Sequence, residues 1–95
     1  MKTLIYDSAS ILVGDDVAQA VLHYAAILAS TRESDVVDIP TCDEAGCAAV
    51  ASVVLGPGVP VMALGAPEDA MEQEDTPFVD EITCRVGEVM AGKRH

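Results

Sequence analysis

The pattern of apolar and polar positions changes period several times along the chain, and each change predicts a secondary-structure element. Apolar runs of strand length occupy Lys2 to Tyr6, Ser10 to Val13 and Asp35 to Ile39. Asp7-Ser8-Ala9 between the first two predicts a turn. The third run ends at Pro40, which has no amide hydrogen to donate to a neighbouring strand. We therefore expect three strands in the first half of the chain.

A helix is predicted between the second and third of these strands. Gly14 is followed by Asp15 and Asp16, whose carboxylates suit the positive end of a helix, and the pattern continues to about Ser30. Apolar side chains cover most of its circumference in two stripes, which are Val17, Ala20, Val21, Tyr24 and Leu28 in one and Ala18, Leu22, Ala25 and Ala29 in the other. Such a helix is expected to be buried on more than one side.

From Ala45 to Pro67 the chain carries no charged residue. A membrane span is nevertheless disfavoured, because the segment Gly56-Pro57-Gly58 and Pro60 would break a helix near its centre. The two halves are valine-rich and of strand length, with a turn signal between them, and this predicts a β-hairpin of Cys47 to Leu55 and Val59 to Leu64. The first of these strands is apolar on both faces, so we expect both faces to be covered.

A second helix is predicted near the C-terminus. Thr76 is expected to cap it, with Pro77 at the first helical position and Gly92 after its end. Val79, Ile82, Val86, Val89 and Met90 share one apolar face. The element order β(β)αβββα predicts an α+β fold in one domain over residues 1–95, with a small mixed or antiparallel sheet of four to five strands and two helices in a two-layer sandwich.

Composition narrows the possible partners. The chain has 5 basic and 16 acidic residues, for a formal net charge of −11. Nucleic acid and anionic membranes are therefore disfavoured as ligands, because both require clustered Lys and Arg. Three cysteines (Cys42, Cys47 and Cys84) and no secretory leader pattern favour a cytoplasmic location with reduced thiols.

Candidate chemistry is sparse. The three cysteines and two histidines, His23 and His95, lack the paired knuckles of a zinc site. Asp7, Asp15 and Asp16 could hold a hydrated magnesium ion, but a turn and a helix start already account for them. We expect no catalytic residue, metal or cofactor, and favour association over catalysis.

Three functional hypotheses follow. The first is a non-enzymatic association module that forms a homodimer through the first helix or the valine-rich hairpin. Its possible interface residues are Val17, Val21, Tyr24, Leu28, Val50, Val53 and Val54. The second is an acidic inhibitor or antitoxin-like partner of a basic protein, using carboxylates between Glu68 and Glu81. The third is a small enzyme or ligand binder that uses Asp7, Asp15, His23 or a cysteine.

Overall fold

One five-stranded antiparallel sheet organises the computed structural model, which describes residues 2–6, 9–42, 47–65 and 75–92. The elements in chain order are β1 (Lys2–Tyr6), β2 (Ala9–Val13), α1 (Asp15–Thr31), β3 (Asp35–Cys42), β4 (Ala48–Leu55), β5 (Val61–Gly65) and α2 (Thr76–Met90). The strands lie in the order β4-β3-β2-β1-β5. The predicted α+β class with two helices is confirmed, and every strand pair is antiparallel.

Both helices contribute to a core on one face of the sheet. The buried strand residues Leu4, Val13, Val37, Ile39 and Leu55 form one cluster with buried residues of α1 and α2. α1 contacts β1, β3 and β5, whereas α2 packs mainly against α1. α1 is therefore covered by the sheet on one side and by α2 on another, as its nearly continuous apolar surface requires.

β3 is longer than predicted, because Pro40 lies inside the strand rather than at its end. β3 pairs with β4 along its whole length but with β2 through a single bridge, Leu12 to Cys42. One side of β3 is thus nearly an edge, and a proline can occupy a strand where its missing donor faces such a side.

The predicted β-hairpin of Cys47 to Leu55 with Val59 to Leu64 is wrong. β4 and β5 both exist, but they lie at opposite edges of the sheet, where β4 pairs with β3 and β5 pairs with β1. The glycine–proline turn does form, since the amide of Val59 donates to the carbonyl of Gly56 at 3.2 Å. Pro60 then follows at the point where a hairpin ladder would start, and it has no amide hydrogen to donate to that ladder.

The helix ends differ from the prediction in detail. Gly14 is the N-cap of α1, and the side chain of Asp16 accepts from the amide of Val17 at 2.8 Å. α2 is capped by Asp75 rather than by Thr76, with Oδ1 of Asp75 accepting from the amide of Phe78 at 3.0 Å. Aspartate is at least as good an N-cap as threonine, so the cap lies one residue earlier. The predicted turn at residues 7–8, the segment 66–74 and the C-terminal residues 93–95 lie outside the described residues.

Candidate functional site

Three valines on β3 and β4 point away from the core and are exposed. Successive strand residues alternate between the two faces of a sheet, so Val37, Ile39 and Leu55 face the helices and their neighbours face outward. Val36 is 58% exposed, Val50 67% and Val54 45%. Val36 and Val54 are direct cross-strand partners, which places them side by side. We call these three side chains the valine patch.

The described residues around the valine patch are nearly uncharged. The outward residues between the valines are Asp38 and Ser52, which are also cross-strand partners. The Ser52 hydroxyl donates to Oδ1 of Asp38 at 2.6 Å, so one oxygen of this carboxylate is already bound. β4 itself, with the sequence AAVASVVL, carries no charge. Among the residues that the structure describes here, a docking partner meets apolar side chains and one partly satisfied carboxylate.

β4 is an edge strand. The hydrogen bonds of Val36, on the neighbouring strand β3, show which amide groups of β4 point away from the sheet. The amide of Val36 donates to Oδ1 of Asp35 at 2.9 Å, and its carbonyl accepts from Nη1 of Arg85 at 3.1 Å. Neither group is directed at β4, so Val36 and Val54 form a non-hydrogen-bonded pair of the ladder. Because these pairs alternate with hydrogen-bonded ones, the amide groups of Ala48, Val50, Ser52 and Val54 face away from β3.

The outward groups of β4 form the β4 edge, and its C-terminal end is occupied. The Tyr6 hydroxyl donates to the carbonyl of Val54 at 2.7 Å. No hydrogen bond from the described ranges 2–6, 9–42, 47–65 and 75–92 reaches the outward groups of Ala48, Val50 or Ser52. The strand has eight residues, no proline, no charge and a continuous register with β3. It therefore has neither the proline, the charged side chain nor the bulge that often protect the edge strands of monomeric proteins.

The predicted interface residues separate into two groups. Val17, Val21, Tyr24 and Leu28 are buried to within 2% and pack in the core of their own chain. Val53 is half-buried against the same core. Val50 and Val54 are exposed, and the structure adds Val36, which the sequence analysis did not single out. The adjacent pair Val36-Val37 was the available signal, since two successive strand residues cannot both face the core.

A polar network ties β3 to both helices. The hydroxyl of Tyr24, fully buried in α1, donates to Oδ2 of Asp35 at 2.6 Å. Arg85 on α2 forms an ion pair with the same oxygen at 3.1 Å, and its Nε donates to Glu81 at 2.8 Å. Each partner is hydrogen-bonded, so the network fixes α1, α2 and the start of β3 relative to one another. The sequence signal for it was a tyrosine inside an apolar stripe, because a buried hydroxyl needs an acceptor.

A cleft of about 280 Å³ opens where β2 and β3 separate. Its walls are mainly apolar, and its polar side chains include Thr41, Cys42 and Asp75. The Thr41 hydroxyl donates to the carbonyl of Leu12 at 2.6 Å, and Asp75 caps α2. These groups stabilise the fold, so the cleft offers few convergent polar groups with which to orient a ligand.

The residues considered for metal binding or catalysis are dispersed. Oδ2 of Asp16 accepts from the amide of Asp75 at 3.2 Å, which leaves that carboxylate occupied by two helix starts. His23 and Cys47 are exposed, and Cys42 is half-buried at the cleft. Asp7 and His95 lie outside the described residues. Within the described ranges, no three His, Cys, Asp or Glu side chains are grouped so as to hold a metal ion.

Neither of the two described helices is long and apolar enough to cross a membrane. Comparison with known proteins assigns the chain to no family: it matches no protein-family model, no curated protein and no solved structure. What supports a function is therefore the geometry of its own strands and helices.

Proposed function

We propose that the protein is a non-enzymatic association module, and that two copies form a homodimer through β4. The observation that carries this proposal is an eight-residue, uncharged edge strand whose outward valines and amide groups are left uncovered by the described chain. Burying apolar surface is the main favourable term in protein association, and unpaired strand edges add directional hydrogen bonds. The expected location is the cytoplasm.

The charge distribution favours a second copy over a basic partner at this surface. The chain carries a formal net charge of −11, but Asp38 is the one described carboxylate on the outward face of β3 and β4. A basic protein gains little from a surface with one hydrogen-bonded carboxylate. Two copies, in contrast, bring two uncharged β4 strands together.

Salt separates the homodimer from the alternative of an acidic inhibitor or antitoxin-like partner of a basic protein. Two chains of like charge repel each other, so added salt should tighten the homodimer by screening that repulsion. Attraction between this chain and a basic protein should weaken under the same change. The alternative would use the carboxylates between Glu68 and Glu81, of which Asp80 and Glu81 on α2 are described and exposed.

The proposal is tested by sedimentation velocity across a hundredfold dilution, comparing the wild type with Val50→Lys and Met90→Lys. Both side chains are similarly exposed, at 67% and 69%, and both variants change the net charge by the same amount. Val50→Lys should weaken dimerisation at least about tenfold, which corresponds to roughly 1.4 kcal/mol, because it places two ammonium groups at an apolar contact. Met90→Lys on α2 should leave it unchanged. A wild type that is monomeric throughout, or equal effects of the two variants, would contradict the proposal.

A further inference from the structure

We infer that the two copies pair antiparallel along the β4 edge, with the two-fold axis passing beside Val50, so that the two sheets become one. This inference rests on the proposed homodimer and specifies its geometry. Two valine patches could also pack face to face without any new strand pair. The β4 edge decides between these arrangements, because its outward amide groups at Ala48, Val50 and Ser52 have no partner in the described part of the chain.

The alternation of the ladder restricts the possible registers. Hydrogen-bonded pairs across the new contact must join residues whose amide groups face outward, and these are Ala48, Val50, Ser52 and Val54. A two-fold axis that pairs at least two of these residues can therefore pass beside Ala49, Val50, Ala51, Ser52 or Val53. In each case the partner strand is the same sequence, so the pairing is self-complementary.

Tyr6 limits how far the partner strand can extend. Its hydroxyl lies 2.7 Å from the carbonyl oxygen of Val54, which is the position that a partner amide would take. An axis beside Ala51, Ser52 or Val53 places a partner residue directly opposite Val54 and meets this hydroxyl. An axis beside Ala49 avoids it but leaves Ser52 unpaired.

The axis beside Val50 satisfies both conditions. Val50 then lies opposite the same residue of the second copy, and Ala48 lies opposite Ser52 in both directions. The outward groups of these three residues are all paired, and Val54 keeps its bond from Tyr6. The valine with the largest exposed fraction, Val50, contacts its own counterpart at the centre of the interface.

Disulfide trapping tests the register in the full-length chain, with Cys42, Cys47 and Cys84 changed to serine. Residues opposite each other in a hydrogen-bonded pair have Cα atoms about 5.5 Å apart, within disulfide range. Val50→Cys alone should therefore give a covalent dimer under mild oxidation. Ala48→Cys and Ser52→Cys should each remain uncrosslinked, because a residue and its own copy lie roughly 13 Å apart along the strand. A mixture of these two variants should crosslink.

Other outcomes overturn the inference in distinguishable ways. Crosslinking of Ser52→Cys alone would place the axis beside Ser52 and contradict the register. A cysteine-to-serine parent that sediments as a dimer, with no crosslink from any variant, would leave the homodimer intact and exclude edge pairing. A parent that is monomeric at every concentration, while the wild type is also monomeric, would remove the proposed function itself.

Discussion

α1 and β4 both contain few polar residues, but they are buried to different extents in the fold. Each is apolar around most of its surface, and each was predicted as an association surface on that ground. In the structure Val17, Val21, Tyr24 and Leu28 of α1 are buried within the chain, whereas Val50 and Val54 of β4 are exposed. The same absence of polar residues therefore has two outcomes.

The difference follows from how many covering elements each region has. α1 lies between the sheet and α2, which bury most of one apolar stripe; in the other stripe Ala18 is buried, Leu22 and Ala25 are half-buried and Ala29 is exposed. Within the described ranges, β4 has one face against the core, a neighbouring strand on one side only and no layer over its outward face. A segment with almost no polar residues thus indicates that both of its sides must be buried. Whether they are buried within the chain or by a second molecule depends on the other elements of the chain.

The comparison is tested most strongly by Leu28→Ala and Val50→Thr. Leu28 is fully buried, so its truncation should lower the free energy of unfolding by about 2–5 kcal/mol. Val50→Thr keeps a β-branched side chain at an exposed position, so the free energy of unfolding should change by less than about 0.5 kcal/mol. Urea denaturation of protein dilute enough to be monomeric measures both. Equal losses would mean that β4 is as fully covered within the chain as α1.

A smaller loss of stability is expected from Gly56→Ala, in the connection that follows β4. A Cβ atom at this position would lie 2.9 Å from Cβ of Ser34 and 3.1 Å from the carbonyl oxygen of Glu33. Relieving that overlap should cost about 1–3 kcal/mol. Gly87→Ala in α2 is the control, because a Cβ there meets nothing within 4 Å and should stabilise the helix by up to about 1 kcal/mol. A neutral Gly56→Ala in thermal denaturation would contradict the close contact between the end of β4 and the start of β3.

The sequence was sufficient to predict the fold class and most elements, because hydrophobic period and turn residues are local signals. It was insufficient for the position of β5. The pattern around Gly56-Pro57-Gly58 predicts a turn equally well whether the chain then returns along β4 or continues to β1. The choice depends on which edge offers a partner, and β1 supplies one for all five residues of β5.

The candidate site was predictable only in part, for a related reason. Val50 and Val54 were identified from the scarcity of polar residues in β4. Which face of the sheet each valine lies on, however, depends on how β4 pairs with β3. Val36 was missed because its exposure depends on Val37 facing the core. The network of Tyr24, Asp35 and Arg85 joins residues up to 61 positions apart, and no local pattern encodes such a contact.

The burial of α1 also depends on α2 starting in the right place, and this gives the smallest expected effect. Asp75 caps α2 and its amide is bound by Asp16 at the start of α1, so the two helix starts are joined. Asp75→Ala should lower the free energy of unfolding by about 0.5–2 kcal/mol. Asp75→Asn should retain most of the stability that the cap contributes, because the amide oxygen of asparagine still accepts the hydrogen bond. Thr76→Ala should cost less than about 0.5 kcal/mol, since Thr76 is exposed and does not provide the cap. Thermal denaturation followed by circular dichroism ranks the three variants. If Thr76→Ala were the more damaging change, the cap would lie at Thr76, where the sequence pattern first indicated.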